Sequence, residues 1–295
     1  MKAFDYSLLG LALRLMAGPL RFLFALDPTW KKAYSKVHAF VDKNVAIALD
    51  RQQRLVKTGK PTDNEGRERY ILLQQMAIET QDPYDLRSQI LNVFFPARDT
   101  AAIAFGNIMF YLARHPQVWG ALRKEVLKVG SQDLTFELLK SLKTTKAIIN
   151  ETLRLRMPAS RVARTALRDT ILPAGGGSDG RSPLFVPGGQ SIEMDLYSLQ
   201  RDPDIWGPDA GEFRPERWSD GRPLWEANWQ YEPFLGGMRM CPAQNQVITQ
   251  LSHLLVRVAQ NFQAVENRDS VWEYKEEIKM TIESRNGVKV ALIPV

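Results

Sequence analysis

Apolar residues recur every three to four positions along much of the chain, which is the spacing of amphipathic helices. Within residues 1–57 the pattern predicts helices that break at Gly18–Pro19 and at Asp27–Pro28, because proline disfavours helix at the residue before it. The polar run at 57–69 is predicted to be a loop. One face of the helix after the second break carries five apolar residues: Val37, Phe40, Val41, Val45 and Ala48.

A long helix is predicted over residues 84 to about 114, between Asp82–Pro83 and His115–Pro116. Pro96 is the one helix breaker inside this segment and predicts a kink there. Shorter helices are predicted at 117–129, 144–156 and 244–262.

Strand-like patterns follow the helix at 144–156, around Val162, at 165–172 and at 191–196. A Gly/Ser/Pro-rich insertion at 173–189 is predicted to separate the last two. Near the C-terminus, Asn286–Gly287 between alternating runs predicts a hairpin with a type I′ turn. We therefore predict one domain, 1–295, that is mainly α with a minor β-sheet.

Composition excludes several classes of protein. At 295 residues with 44% hydrophobic residues, the chain is long enough to bury a sizeable core. A net charge of +6 without a basic tail gives no indication of a nucleic-acid partner. The longest uncharged run, 100–113, is shorter than the roughly 20 residues that a membrane-spanning helix needs.

Cys241 is the single cysteine, so it is a buried apolar residue, a reactive thiol or a metal ligand rather than half of an internal disulfide. The apolar stripe that follows predicts a helix with Cys241 at its N-cap and Pro242 at its first position. The free N–H groups at such a position favour a thiolate, which is the form that binds metal. Gly236–Gly237 permits a tight turn, and Arg239 offers a cation to an anionic group.

Phe234, Gly237, Arg239 and Cys241 have the spacing Phe-x-x-Gly-x-Arg-x-Cys, which resembles the haem-binding loop of the cytochrome P-450 monooxygenases. The resemblance implies haem b (iron protoporphyrin IX), with Cys241 as the axial thiolate and metal ligand and Arg239 paired with a propionate. A thiolate ligand donates electron density to the iron and favours O–O cleavage.

Glu151 and Arg154 match the family's Glu-x-x-Arg helix, whose spacing places both side chains on one face. The segment FRPERW, 213–218, resembles the family segment in which an arginine, here Arg217, joins that pair in a structural lock behind the haem. Arg164 corresponds by position to an arginine that contacts a propionate in related sequences.

Ala97 to Thr100 resembles the family's distal helix, where a kink opens a groove for dioxygen. The resemblance implies that Asp99 and Thr100 relay protons to oxygen, a general-acid role. An isolated segment of this kind would instead hold a threonine bonded back to a carbonyl and an exposed aspartate.

Three positions depart from the family pattern: Ala243, where glycine is usual, Pro242, and Pro96–Ala97 in place of Ala-Gly. The resemblance begins around the family's F and G helices. It therefore implies the C-terminal part of the cytochrome P-450 fold, without the N-terminal part and its membrane anchor. A truncated gene sequence, a fragment and a decayed copy all remain open.

The resemblance implies insertion of one atom of O2 into a C–H bond of an apolar small molecule. The segments at 173–189 and 197–218 look most similar to fungal enzymes that hydroxylate n-alkanes and fatty acids. Electrons would come from an NADPH-cytochrome reductase, a flavoprotein, and a full-length relative would lie on the cytosolic face of the endoplasmic reticulum membrane. The alternative is a truncated, non-catalytic remnant with weak or no haem binding. Basic residues that could help to dock the reductase are Arg123, Lys124, Lys128, Lys140 and Lys143.

Overall fold

The computed structural model describes residues 2–58, 71–219 and 229–295. They divide into two compact units, one of residues 1–100 with 278–280 and one of residues 101–277 with 281–295. Each unit is described by itself, and the prediction of one domain stays a prediction. The predicted class, mainly α with a minor β component, is confirmed.

The first unit is helical and has its breaks where the prolines predict them. Gly18 has a positive φ of 51°, a conformation that glycine adopts without strain. Most of the predicted loop at 57–69 lies outside the described residues, and only Lys57 and Thr58 are seen, at the end of a helix. The elements are α1 (Lys2–Met16), a 3₁₀ helix (Gly18–Leu26), α2 (Pro28–Thr58), α3 (Leu72–Glu79) and the first part of α4 (Pro83–Leu112).

The core of the first unit forms along the predicted apolar face of α2. Val37, Val41, Val45 and Ala48 are buried there against residues of α1, α3 and α4. Phe40, which recurs with these residues at helical spacing, is instead 62% exposed and lies outside this core. Its position, three residues after Val37 and one before Val41, puts it at the edge of the buried stripe, and the stripe is narrower than the sequence pattern suggested.

The second unit has its core between helices. Residues 101–112 of α4 belong to it, and Asp82–Pro83 and His115–Pro116 flank α4 as predicted. The helix continues through Pro96. The other helices are α5 (Pro116–Val129), α6 (Phe136–Ser141), α7 (Lys143–Leu155), α8 (Leu196–Leu199), α9 (Pro203–Trp206) and α10 (Gln244–Asn261).

Strands in the described residues form four two-stranded sheets. β1 pairs antiparallel with β4, β2 with β3 and β5 with β8, and β6 pairs with β7. The strands are β1 (Arg161–Thr165), β2 (Thr170–Gly176), β3 (Ser182–Val186), β4 (Ser191–Asp195), β5 (Phe262–Asn267), β6 (Glu276–Ile278), β7 (Ile282–Ser284) and β8 (Val290–Pro294).

Two strand predictions were wrong. The insertion at 173–189 is not merely a separator, because most of it forms the β2–β3 hairpin, with a register irregularity between Leu172 and Gly176. The predicted hairpin across Asn286–Gly287 does not form, since β8 pairs with β5 instead. Gly287 has a φ of 69°, but Asn286 is not in the positive region, whereas a type I′ turn requires both residues there.

Candidate functional site

The carboxylate of Glu151 is the centre of a buried ion cluster that joins α7 to the segment 209–218. Its Oε1 accepts hydrogen bonds from Arg154 Nη2 at 2.9 Å, Arg217 Nε at 2.9 Å and the backbone N–H of Arg214 at 3.0 Å. Its Oε2 accepts from Arg154 Nε at 3.0 Å and from Trp218 Nε1 at 3.0 Å. Glu151, Arg154 and Arg217 are all fully buried, so the three residues that the resemblance groups together are in contact.

The remaining donors of Arg154 are satisfied as well, and Arg217 has further acceptors besides Glu151. Arg154 donates to the carbonyls of Gln200 and Ala210, both at 2.7 Å, and of Glu212 at 3.1 Å. Arg217 donates to the carbonyls of Trp206 and Asp209. Buried charges are tolerated when they are paired and hydrogen-bonded in this way. We call this set, Glu151, Arg154 and Arg217, the buried ion cluster.

Asp209 lies at the edge of the buried ion cluster and is one-third exposed. Its Oδ2 is 3.3 Å from Arg217 Nη2 and 2.8 Å from Arg214 Nε. Partial burial opposes the charge of this carboxyl, but the two guanidinium groups outweigh it and lower its pKa below the usual value. A second carboxylate therefore balances the two buried arginines.

The chain around Cys241 folds into a tight loop. The backbone N–H of Cys241 donates to the carbonyl of Phe234 at 2.8 Å, which closes the loop between them. Leu235 and Gly237 have positive φ values of 61° and 69°, and Gly237–Arg239 forms one 3₁₀ turn. Phe234 anchors the loop by packing against the main core of the second unit. We call residues 234–241 the cysteine loop.

The predicted N-cap at Cys241 was wrong. α10 begins at Gln244, its N-cap is Ala243, and Pro242 lies with Ala243 in a turn before the helix. The N–H of Cys241 closes the loop on Phe234, and the turn at Pro242–Ala243 separates this closure from the first residue of the helix. The argument from free helical N–H groups therefore does not apply directly to this sulfur.

The side chains of the cysteine loop that a haem would need have no protein partners. Neither the thiol of Cys241, which is half-buried, nor the guanidinium of exposed Arg239 makes a side-chain hydrogen bond or ion pair within the described ranges. A Cβ at Gly237 would meet nothing within 4 Å, so one side of the loop is open. A cysteine thiolate can ligate haem iron, and an arginine can pair with a carboxylate, so Cys241 and Arg239 fit an iron porphyrin with propionates.

Arg164 lies on β1, in the same unit. In the part of the chain that the structure describes, its side chain hydrogen-bonds only to the neighbouring carbonyl of Ala163, at 2.9 Å. It is exposed and available to an anionic group. The structure thus brings Phe234, Gly237, Arg239 and Cys241 together in one loop and leaves Arg164 on a separate strand.

Asp99 and Thr100 belong to the first unit, on α4. The hydroxyl of Thr100 donates to the carbonyl of Pro96 at 2.9 Å. Asp99 lies 3.3 Å from the Nε of Arg98, whose Nη1 in turn pairs with Asp5 at 2.5 Å. Both residues therefore have local partners, and their proton-relay role stays a prediction. Sequence reasoning missed Arg98, although a basic residue directly before the predicted acid was a visible signal.

A second polar network near the end of α7 was also missed. Arg156 forms an ion pair with Glu276 and stacks over the ring of Tyr274 at 4.4 Å. The hydroxyl of Tyr274 donates to the Oδ1 of Asn107 at 2.7 Å, and the amide of Asn107 donates to the carbonyl of Arg156 at 3.0 Å. Burial opposes the charge of Arg156, yet Tyr111 and Glu276 raise its pKa. This network joins α4, α7 and the C-terminal strands of the second unit.

Among the described residues, no helix combines the length and the apolar content that crossing a bilayer requires.

Comparison with known proteins gives these motifs a context. The sequence profile of the family described as cytochrome P-450 matches residues 12–289. The cytochrome P-450 monooxygenase fumoA of Cordyceps fumosorosea is 40% identical over 283 residues, which are 94% of this chain and 54% of that protein. The monooxygenase himC of Aspergillus japonicus is 38% identical over 99% of this chain and 51% of its own length.

A third relative, the cytochrome P-450 monooxygenase iliC of Hypocrea jecorina, is 39% identical over 94% of this chain and 61% of its own length. The chain thus spans about half the length of the curated relatives that it matches. Members of the matched family bind haem b through a cysteine thiolate. The match covers nearly all of the sequence, including the cysteine loop and the buried ion cluster, and the chain belongs to the cytochrome P-450 family.

Proposed function

We propose that this chain supplies the cysteine ligand of a haem-dependent monooxygenase. Such an enzyme inserts one oxygen atom of O2 into a C–H bond of an apolar small molecule. The observation that carries the proposal is the cysteine loop, which is closed by the Cys241–Phe234 hydrogen bond while its thiol and Arg239 have no partner within the described residues. A side chain that serves packing alone would be expected to be fully buried.

In the proposed site, Cys241 is the metal ligand and Arg239 and Arg164 pair with the propionates. Phe234 and Gly237 set the shape of the loop. Haem bound there would supply the activation of O2. The buried ion cluster holds the segment 209–218 on α7 and needs no ligand to do so, because all of its charges are satisfied within the protein.

Asp99 and Thr100 are proposed to hold and move protons on the distal side. The hydroxyl of Thr100 uses its hydrogen on the carbonyl of Pro96, which leaves its oxygen free to accept a hydrogen bond. The side chain of Asp99 is 38% exposed, so it can exchange protons with solvent. A hydroxyl beside a solvent-accessible carboxyl is suited to general-acid chemistry.

The finer proposals concern substrate, partner and place. We propose an n-alkane or a fatty acid as the substrate, on the sequence similarity of the segments 173–189 and 197–218. The proposed electron donor is an NADPH-dependent flavoprotein reductase, and the proposed location is the cytosolic face of the endoplasmic reticulum membrane. Incubation with the reductase, NADPH and either dodecane or dodecanoate, followed by mass spectrometry, tests the substrate class. Absence of any oxygenated product from both would contradict it.

The deciding experiment is haem binding through sulfur. The purified chain is mixed with haem, reduced and exposed to carbon monoxide, and the difference spectrum is recorded. A Soret band shifted far to the red that is absent in Cys241→Ser and present in the matched Met240→Leu variant supports the proposal. A band at the position of a non-thiolate haem, or one unaffected by Cys241→Ser, contradicts it.

A second candidate is a non-catalytic remnant that binds haem weakly or not at all. It is favoured by the exposed apolar side chains of the first unit, such as Leu15 and Met16 at the end of α1 and Leu26 at the end of the following 3₁₀ helix. Failure of the well-folded chain to bind any haem in the same experiment would select this candidate.

A further inference from the structure

A cavity of about 370 Å³ lies on the inner side of the cysteine loop, within the second unit. Three helices and the segment 229–236 line it, and one side is open to solvent. Its volume is at the lower end of the range of small-molecule sites. The apolar part of its wall comes from Phe136 and Leu139 of α6, Ile248 of α10, and Trp229, Pro233 and Phe234 of the loop segment.

Two buried polar side chains line the cavity without a partner. Asn150 of α7 is 8% exposed and Ser252 of α10 is 3% exposed. Neither the amide nor the hydroxyl makes a hydrogen bond within the described part of the chain, although the backbone carbonyl of Asn150 accepts one from Tyr231. The two side chains are more than nine-tenths buried, and their polar atoms reach the cavity, where a ligand or water can satisfy them.

The charged groups at the cavity favour an anion. Lys140 and Lys146 line it, both are exposed, and neither forms an ion pair among the described residues. Glu232 is the one acidic residue among the described residues of the lining, and it has an interaction of its own. Two ammonium groups, an amide and a hydroxyl together offer mainly hydrogen-bond donors, which a carboxylate accepts well.

We propose that this cavity binds a small amphipathic carboxylate. Its hydrocarbon part packs against Phe136, Phe234 and Ile248. Its carboxylate accepts hydrogen bonds from the side chains of Asn150 and Ser252 and from the two lysines. The proposal is separate from the proposed function, since none of the side chains that hold the carboxylate is assigned to haem.

Occupancy would act on the cysteine loop. Phe234 lines the cavity and also accepts the hydrogen bond that closes the loop on Cys241. A ligand packed against Phe234 therefore restrains the residue that positions the thiol. The site thereby gives a small carboxylate a route to influence Cys241 without contacting it.

The test uses 1-naphthaleneacetate as the probe and isothermal titration calorimetry as the measurement, with the uncharged 1-naphthaleneethanol as the matched compound. The main variant is Lys140→Gln/Lys146→Gln, whose exposed positions leave the fold intact. The control is Lys31→Gln/Lys32→Gln on α2, which removes the same charge from exposed lysines that are not among the residues lining the cavity.

We expect saturable binding of the acid, with the main variant about tenfold weaker and the control unchanged, because each of the two exposed ammonium groups attracts the carboxylate only modestly through water. Asn150→Leu should also weaken binding of the acid more than binding of the alcohol, because a hydrogen bond to a carboxylate is stronger than one to a hydroxyl. The proposal is overturned by absence of saturable binding of the acid, by equal affinities for acid and alcohol, or by equal effects of the two lysine pairs. None of these results depends on haem binding, so the proposed function would stand or fall separately.

Discussion

The buried ion cluster and the cysteine loop are both family motifs of the second unit, but their polar groups are satisfied in opposite ways. Every charged group of the buried ion cluster has partners within the protein, and all three side chains are fully buried. In the cysteine loop, the thiol and the guanidinium of Arg239 have none within the described residues. The arrangement in the buried ion cluster stabilises a fold, whereas the arrangement in the cysteine loop is typical of a ligand-binding site.

The largest expected effect comes from removing the central charge of the buried ion cluster. Glu151→Gln should lower the free energy of unfolding by about 3–5 kcal/mol, because it leaves two buried guanidinium groups without their carboxylate. Urea denaturation followed by circular dichroism measures this. The control is Glu216→Gln, an exposed neighbour of Arg217, with an expected change near zero. Equal stabilities of the two variants would mean that the buried ion cluster does not stabilise the fold, and its contrast with the cysteine loop would not hold.

The sequence identified the three members of this cluster but only part of their contacts. The i, i+3 spacing of Glu151 and Arg154 predicts their contact, since it is local geometry on one helix. The carbonyls of Gln200, Ala210 and Glu212 that complete Arg154 could not be foreseen, because they depend on how a distant segment packs. Trp218 belongs to the motif FRPERW, yet its N–H contact to Glu151 also depends on how the segment 209–218 packs on α7.

Local rules failed where a long-range contact competed with them. Asn286–Gly287 predicts a hairpin, but β8 pairs with β5, which lies further back in the sequence. Pro242 after Cys241 predicts a helix start, but the loop closure on Phe234 delays it to Gln244. The helix ends set by proline pairs, such as those of α4, needed no distant contact and were predicted well.

An intermediate effect is expected at the Arg156–Glu276 pair, which is partly exposed, unlike the buried ion cluster. Glu276→Gln should lower the free energy of unfolding by about 1–2 kcal/mol, since a charged hydrogen bond is lost in a half-buried place. The matched control is exposed Glu273→Gln, and urea denaturation is again the measurement. A loss as large as that of Glu151→Gln would show that the stability contribution of these ion pairs does not depend on their burial.

A smaller, pH-dependent effect is expected at Asp209. Its folded pKa is lowered by Arg217 and Arg214 despite partial burial, so its contribution is present above the unfolded pKa of about 4 and is lost as pH falls through the folded value. Asp209→Asn should therefore be less stable than wild type by about 0.5 kcal/mol at pH 7. Chemical denaturation at pH values on both sides of about 4 should show the difference shrinking only in the acid range. A difference independent of pH would rule out the ion pairs as its cause.

The smallest effect on stability is expected in the cysteine loop itself. Cys241→Ser in the haem-free protein should change the free energy of unfolding by less than about 0.5 kcal/mol, because the thiol is half-buried and has no partner within the described residues. Added haem should then stabilise the wild-type chain by mass action and the serine variant much less, which thermal unfolding with and without haem measures. A loss of several kcal/mol without haem would mean that Cys241 serves as a core residue. The cysteine loop would then be stabilised by the protein itself, like the buried ion cluster, and the contrast between the two motifs would not hold.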